Sequence, residues 1–133
     1  MLTQKLAVVT GAARGLGFAV SRDLAAKGCT VVMVGRHAEA LDAAAARLRE
    51  HAPAHAERFL TQPADVSDAA AVEQLAARLR RDFGRVDILV NNAGVLLEPK
   101  DFANPQPASV FKADPETVTA TWAINTLGPL RLI

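Results

Sequence analysis

Short β-branched segments alternate with segments of helical period along almost the whole chain, and this alternation restricts the fold more than any other feature. Lys5 to Thr10, Thr30 to Val34 and Val86 to Val90 are nearly continuous apolar runs, the pattern of strands covered on both faces. A weaker strand runs from Phe59 to Gln62 and is cut short by Pro63. Between these runs, apolar residues recur along one side of a helix: Leu16, Val20 and Leu24, then Leu41, Ala45 and Leu48, then Val72, Leu75, Leu79 and Phe83. Ser67 and Asp114 are placed to cap helices, Pro115 suits a first helical turn, and Gly28 and Gly84 follow helix ends. A proline-rich loop from Leu96 to Ala113 precedes a last helix. The order β-α-β-α-β-α-β, loop, helix predicts an α/β layer structure, a doubly wound parallel sheet with right-handed crossovers.

Composition narrows the function classes. Half of the 133 residues are hydrophobic and 22% are charged, as in a soluble globular domain with a core of its own. Fifteen basic residues against fourteen acidic ones leave a net charge of +1, too weak a field to imply nucleic acid or a membrane surface as partner. The single cysteine, Cys29, has no internal disulfide partner and reads as a buried strand residue, so a cytoplasmic location is expected. No apolar run approaches a membrane span, and the first residues lack the order of a signal peptide. His51 and His55 are four apart, but Pro53 breaks the helix that would align them, so both read as solvated surface and no metal site is expected. Trp122 and Phe111 read as core or loop-packing residues.

The first strand runs straight into glycines. In "TGAARGLG", Thr10 to Gly17, Gly11, Gly15 and Gly17 stand where a strand turns into a helix. Glycine permits positive φ and close approach of the backbone, while the first N–H groups of the helix point outward unpaired and favour an anion. A pyrophosphate fits such a turn; a purely structural turn packed against the sheet is the alternative.

The spacing of these glycines resembles the TGxxxGxG motif of the short-chain dehydrogenase/reductase family, and "NNAG", Asn91 to Gly94, resembles that family's second hallmark after its fourth strand. The resemblance extends from Lys5 to Leu130. It implies a Rossmann-like doubly wound sheet, here incomplete, with four strands and the C-terminal part absent. It also implies that Gly11, Gly15, Leu16 and Gly17 line the cofactor's phosphates. Asp65 and Val66 would lie against the adenine, although without the resemblance the residues favour a turn former at Asp65. Asn91 would tie neighbouring strands, with Ala93 and Gly94 against the nucleoside, and Asn125, in "WAINTLGPL", would belong to the catalytic set. Asp87 is also usual in its place.

The nucleotide can be narrowed further. NAD-binding members of the fold carry an acidic residue after the second strand, for the ribose 2′-hydroxyl. This chain has Gly35 and Arg36 there, and Arg14 precedes the second glycine of the turn. Each arginine alone could be solvated surface, but together with the missing carboxylate they favour NADP(H) over NAD(H), because a guanidinium fork suits a phosphate.

The family's proton donor is a tyrosine assisted by a lysine and a serine, and this chain contains no tyrosine. Two accounts follow. The chain is either the N-terminal part of an NADP-dependent oxidoreductase acting on a small carbonyl or alcohol, inactive by itself, or a nucleotide-binding module without redox chemistry. A methyltransferase on the same layers would leave "NNAG" and Asn125 without a role. Because the fourth strand has no neighbour on its outer side within this sequence, self-association into a homo-oligomer is expected.

Overall fold

The computed structural model describes residues 1–95 and 114–133. The expected loop and Phe111 lie outside them. Strands β1 (Leu6–Thr10), β2 (Thr30–Gly35), β3 (Phe59–Pro63) and β4 (Ile88–Val90) alternate with helices α1 (Gly15–Ala26), α2 (Ala38–His51) and α3 (Ala69–Phe83). A final helical stretch runs through α4 (Pro115–Trp122), a wide π turn at Ala123–Leu127, and α5 (Gly128–Leu132). A 3₁₀ turn at Pro53–Arg58, absent from the sequence reading, joins α2 to β3.

All pairings are parallel and the strand order is β3-β2-β1-β4, so the expected four-stranded doubly wound sheet is present. Alternate strand residues feed opposite faces. Ala7, Val9, Val31 and Met33 pack under α1 and α2 with Leu41, Ala45 and Leu48, whereas Leu6, Val8, Val32 and Val34 pack with Leu75 and Leu79 of α3. Helices thus cover both faces, which is why these strands read as unbroken apolar runs.

Four local expectations change. The face of α1 that is fully buried is Gly17, Ser21 and Ala25; Val20 and Leu24 are only partly buried, and Leu16 is 70% exposed. Small residues let this helix lie close on the sheet, and the Ser21 hydroxyl is satisfied inside it by donating to the Gly17 carbonyl at 2.8 Å. Phe83 is also exposed at the end of its stripe, one residue before the left-handed Gly84 ends α3. The cap of α3 is Asp68 rather than Ser67, its carboxylate accepting from Ala70 N at 2.9 Å. Trp122 is 57% exposed, because α4 buries none of its residues fully.

The cap at Asp114 and the burial of Cys29 are as expected. Asp114 caps α4, accepting from Thr117 N at 2.8 Å, and that bond holds its carboxyl below the usual range. Cys29 is buried, one residue before β2 begins, and burial raises its thiol pKa. His51 is exposed, but His55 is half-buried, with Nδ1 lacking a partner. Among the described residues no group of acidic, histidine or cysteine side chains has the arrangement of a metal site, and no helix is long and apolar enough to cross a membrane.

Candidate dinucleotide site

The carboxyl ends of β1, β2, β3 and β4 converge on one rim of the sheet. Ala12 N donates to Val34 O at 3.2 Å and Ala64 N to Gly35 O at 3.0 Å, so the turns after β1, β2 and β3 are laced side by side. Such a rim, at the point where the strand order reverses, is where open α/β sheets take their ligands.

The three glycines divide their work. Gly11 has φ +64°, and a Cβ there would fall 2.9 Å from Asn92 Nδ2 and 3.0 Å from the Ala93 backbone. A Cβ on Gly17 would fall 2.5 Å from Asn92 Nδ2 and closer still to the Gly11 carbonyl oxygen. Those two glycines allow the turn, the first helical turn and the segment after β4 to touch. Gly15 differs: its φ is +56°, yet nothing stands within 4 Å of where its Cβ would be. Its open side faces solvent at the N-terminus of α1, whose first residues have no side-chain cap and no acidic neighbour in the first turn. An anion fits that cradle on both geometric and electrostatic grounds.

Thr10 and Asn92 hold the cradle, and neither stood among the expected site residues. The Thr10 hydroxyl, 1% exposed with its residue, accepts from Asn92 N at 3.0 Å and Ala93 N at 2.9 Å and lies 3.4 Å from the Val90 carbonyl. Asn92 Nδ2 donates to the carbonyls of Thr10 at 3.0 Å and Gly11 at 3.2 Å. The strand tie expected of Asn91 is therefore made by Asn92, and Asn91 is exposed. The signal in the sequence was a polar residue at the end of the first apolar run and a pair of them, Asn91 and Asn92, after the last.

Arg14 and Arg36 are both exposed, at the turns after β1 and β2, and neither is paired with a carboxylate among the described residues. Asp65 is engaged in its own turn, accepting from Ser67 N at 2.9 Å and Ser67 Oγ at 2.6 Å. Partial burial pushes its carboxyl up, but the Ser67 bonds and the charges of Arg36 and His37 outweigh that and hold it below the usual range. Its turn-forming role is thus realised. Val66 is buried under Gly128, where a Cβ would fall 2.9 Å from Val66 Cγ2, and Arg131 Nη1 donates to Ser67 O at 2.7 Å.

Asn125 stands in the π turn and grips the backbone just past Gly94: Val95 N donates to its Oδ1 and its Nδ2 donates to Val95 O, both at 2.8 Å. A Cβ on Gly94 would lie 3.5 Å from the same Oδ1. Asp87, at the opposite end of β4, accepts from Leu6 N and from Lys5 Nζ at 2.9 Å each, and these bonds hold its carboxyl down at about 2.

Comparison with known proteins agrees with this geometry. The family model described as short chain dehydrogenase matches residues 5–133. The 2,3-dihydro-2,3-dihydroxybenzoate dehydrogenase of Bacillus subtilis is 39% identical over 124 residues, 93% of this chain and 42% of that protein. Among solved structures, L-sorbose reductase from Gluconobacter frateurii, complexed with NADPH and L-sorbose, superposes with a TM-score of 0.81 at 30% identity over 98% of this chain and 45% of that one. The 3-ketoacyl-(acyl-carrier-protein) reductase from Brucella melitensis, complexed with NADH, gives 0.81 at 28% identity over 99% and 48%. The chain spans less than half the length of each of these relatives. With the glycine turn, the Asn92 tie and the Asn125 clasp on one rim, the chain belongs to the short-chain dehydrogenase family.

Proposed function

We propose that this chain is the NADP(H)-binding part of an oxidoreductase that moves hydride between the dinucleotide and a small carbonyl or alcohol substrate. The observation that carries the reading is the open cradle at Gly15, flanked by two exposed arginines, with no carboxylate at the end of β2. The pyrophosphate lies against Gly15, Leu16 and the first N–H groups of α1, with Gly11 and Gly17 closing the turn behind it. Arg14 and Arg36 hold the 2′-phosphate. Asp65 and Val66 border the adenine, the carboxylate of Asp65 kept in place by Ser67. Asn91, Ala93 and Gly94 border the nucleoside. Asn125 positions that segment through Val95.

When bound, the dinucleotide supplies or accepts the hydride. The residues of this chain bind, orient and exclude water. The proton at the substrate oxygen is a separate matter: an amide such as Asn125 does not release a proton at neutral pH, and no tyrosine stands in the sequence. The chain by itself is therefore inactive in this reading. A relative bound to NADPH supports the choice of nucleotide, while one bound to NADH leaves the weight on Arg36. The outer edge of β4, which pairs only with β1 among the described residues, supports association with a second copy, and the buried free Cys29 fits the reducing cytoplasm.

Titration with NADPH and NADH at one salt concentration tests the reading. NADPH should bind more tightly, and Arg36→Ala should weaken it by about tenfold while leaving NADH nearly unchanged, as expected for loss of one charge-assisted contact. Equal affinities for the two dinucleotides in the unsubstituted chain would sink the NADP(H) assignment.

A further inference from the structure

The turn that carries Asp65 and Val66 is held from three directions. Within it, Asp65 Oδ1 accepts from Ser67 N at 2.9 Å and from Ser67 Oγ at 2.6 Å. From β2, the Gly35 carbonyl accepts from Ala64 N at 3.0 Å. From α5, Arg131 Nη1 donates to the Ser67 carbonyl at 2.7 Å, across a separation of 64 residues. Every polar group of Ser67 is thereby engaged. Arg131 makes no ion pair with a carboxylate among the described residues, so its guanidinium is committed to a backbone carbonyl. Three residues earlier on the same helix, and so on the same side of it, Gly128 meets the buried Val66. Helix α5 therefore addresses this turn at two adjacent residues, by contact at Val66 and by a bond at Ser67.

We infer that Arg131 is a positioning residue for the adenine end of the dinucleotide, acting through Ser67 to fix the Asp65 turn against α5 before the ligand arrives. The inference rests on the dinucleotide reading above. A turn already in its bound shape spares binding the cost of ordering it. Without the Arg131 bond, the Asp65–Ser67 bonds still shape the turn, but its tie to α5 is reduced to the contact between Val66 and Gly128, and part of the ordering falls on binding. A bond from a charged donor to a carbonyl is stronger than one between neutral groups, which suits a long tie at an exposed place. The effect is confined to one end of the site. The glycine cradle is held by Thr10 and Asn92, through bonds in which α5 takes no part.

The test titrates the chain calorimetrically with two probes: adenosine 2′,5′-bisphosphate, which carries the adenine, and inorganic pyrophosphate, which needs only the glycine cradle. Arg131→Met removes the donor and the charge, and Arg131→Lys keeps both. Gly128→Ala disturbs the same turn from its other contact, because the new Cβ would fall 2.9 Å from Val66 Cγ2. Arg131→Met should bind the bisphosphate about threefold to fivefold more weakly, within the range for one exposed hydrogen bond, and bind pyrophosphate as before. Arg131→Lys should recover most of the loss, and Gly128→Ala should reproduce the selective weakening. Unchanged bisphosphate affinity in Arg131→Met would overturn the inference. Equal losses on both probes would overturn it too, because a general loss of structure or of positive charge weakens both, and so would a lysine variant as weak as the methionine one. Failure of the unsubstituted chain to bind the bisphosphate would overturn the assignment of the adenine end itself, and the inference with it.

Discussion

Replacing Gly17 by alanine sets two physical expectations against each other. Helix propensity alone makes glycine to alanine favourable by about 1 kcal/mol inside a helix. Packing at Gly17 reverses the sign. The new Cβ would fall 2.5 Å from Asn92 Nδ2, where ordinary contact begins near 3.4 Å, and still closer to the Gly11 carbonyl oxygen, which is backbone. Overpacking of this kind costs about 1–3 kcal/mol. The Asn92 amide, once displaced, releases the Thr10 and Gly11 carbonyls, and each lost bond costs about 1 kcal/mol more. The net expectation is a loss of about 2–4 kcal/mol, which for a domain of this size lowers the melting midpoint by roughly 8–16 °C. Gly15→Ala is the matched control. It meets no atom and suffers only the left-handed backbone cost of about 1–2 kcal/mol, but it should weaken both dinucleotides alike. Thermal denaturation followed by circular dichroism reads the contrast. A Gly17→Ala chain that melts at or above the unsubstituted one, or equal losses at the two positions, would refute the division of roles among the glycines.

Asp87 gives an acid-side prediction. Its folded pKa lies below that of the unfolded chain, so its contribution is complete above the unfolded carboxylate value near 3.9 and is lost as pH falls toward about 2. Asp87→Asn should therefore lower the urea midpoint at neutral pH and flatten its decline between those two values; an unchanged decline would assign the acid sensitivity to other carboxylates. For Asn125, the readout is amide exchange at Val95. Asn125→Ala should speed exchange of that N–H by about fivefold, as for a bond of about 1 kcal/mol, while Asn125→Asp should keep the N–H protected but leave the Val95 carbonyl without its donor. Equal exchange in all three proteins would mean that the clasp does not persist in solution.

Much of this was legible before any coordinates. The alternation of strands and helices, the glycine turn and the caps at Asp114 and Gly84 follow from residues whose local preferences agree with the fold. What the sequence hid depends on distance between elements. The stripe Leu16, Val20 and Leu24 has the right period, but burial in α1 goes to Gly17, Ser21 and Ala25, because small side chains allow the approach that large ones prevent. Asn91 and Asn92 are chemically identical neighbours, and only their position past the end of β4 decides which one meets Thr10. Asp65 and Asp68 flank Ser67, and the chain assigns the turn to the first and the cap to the second, leaving Ser67 as a donor to Asp65. Composition does not carry that choice.

The π turn at Ala123–Leu127 has a local cause that bears on the site. Pro129 lacks the N–H that would close an α-helical bond to the Asn125 carbonyl, and its ring crowds that carbonyl, so the ladder widens there. A widened turn rotates the helix relative to its continuation, and Gly128 then lets the following turn press directly on Val66. The same stretch therefore touches the rim twice: Asn125 holds the backbone past Gly94, and Gly128 with Arg131 holds the turn that carries Asp65. A single helix fixes the separation between the segments proposed to border the two ends of the dinucleotide. That explains why Asn is tolerated in mid-helix here despite its poor propensity: both of its polar groups are satisfied by a neighbouring segment instead of competing with the helix's own backbone.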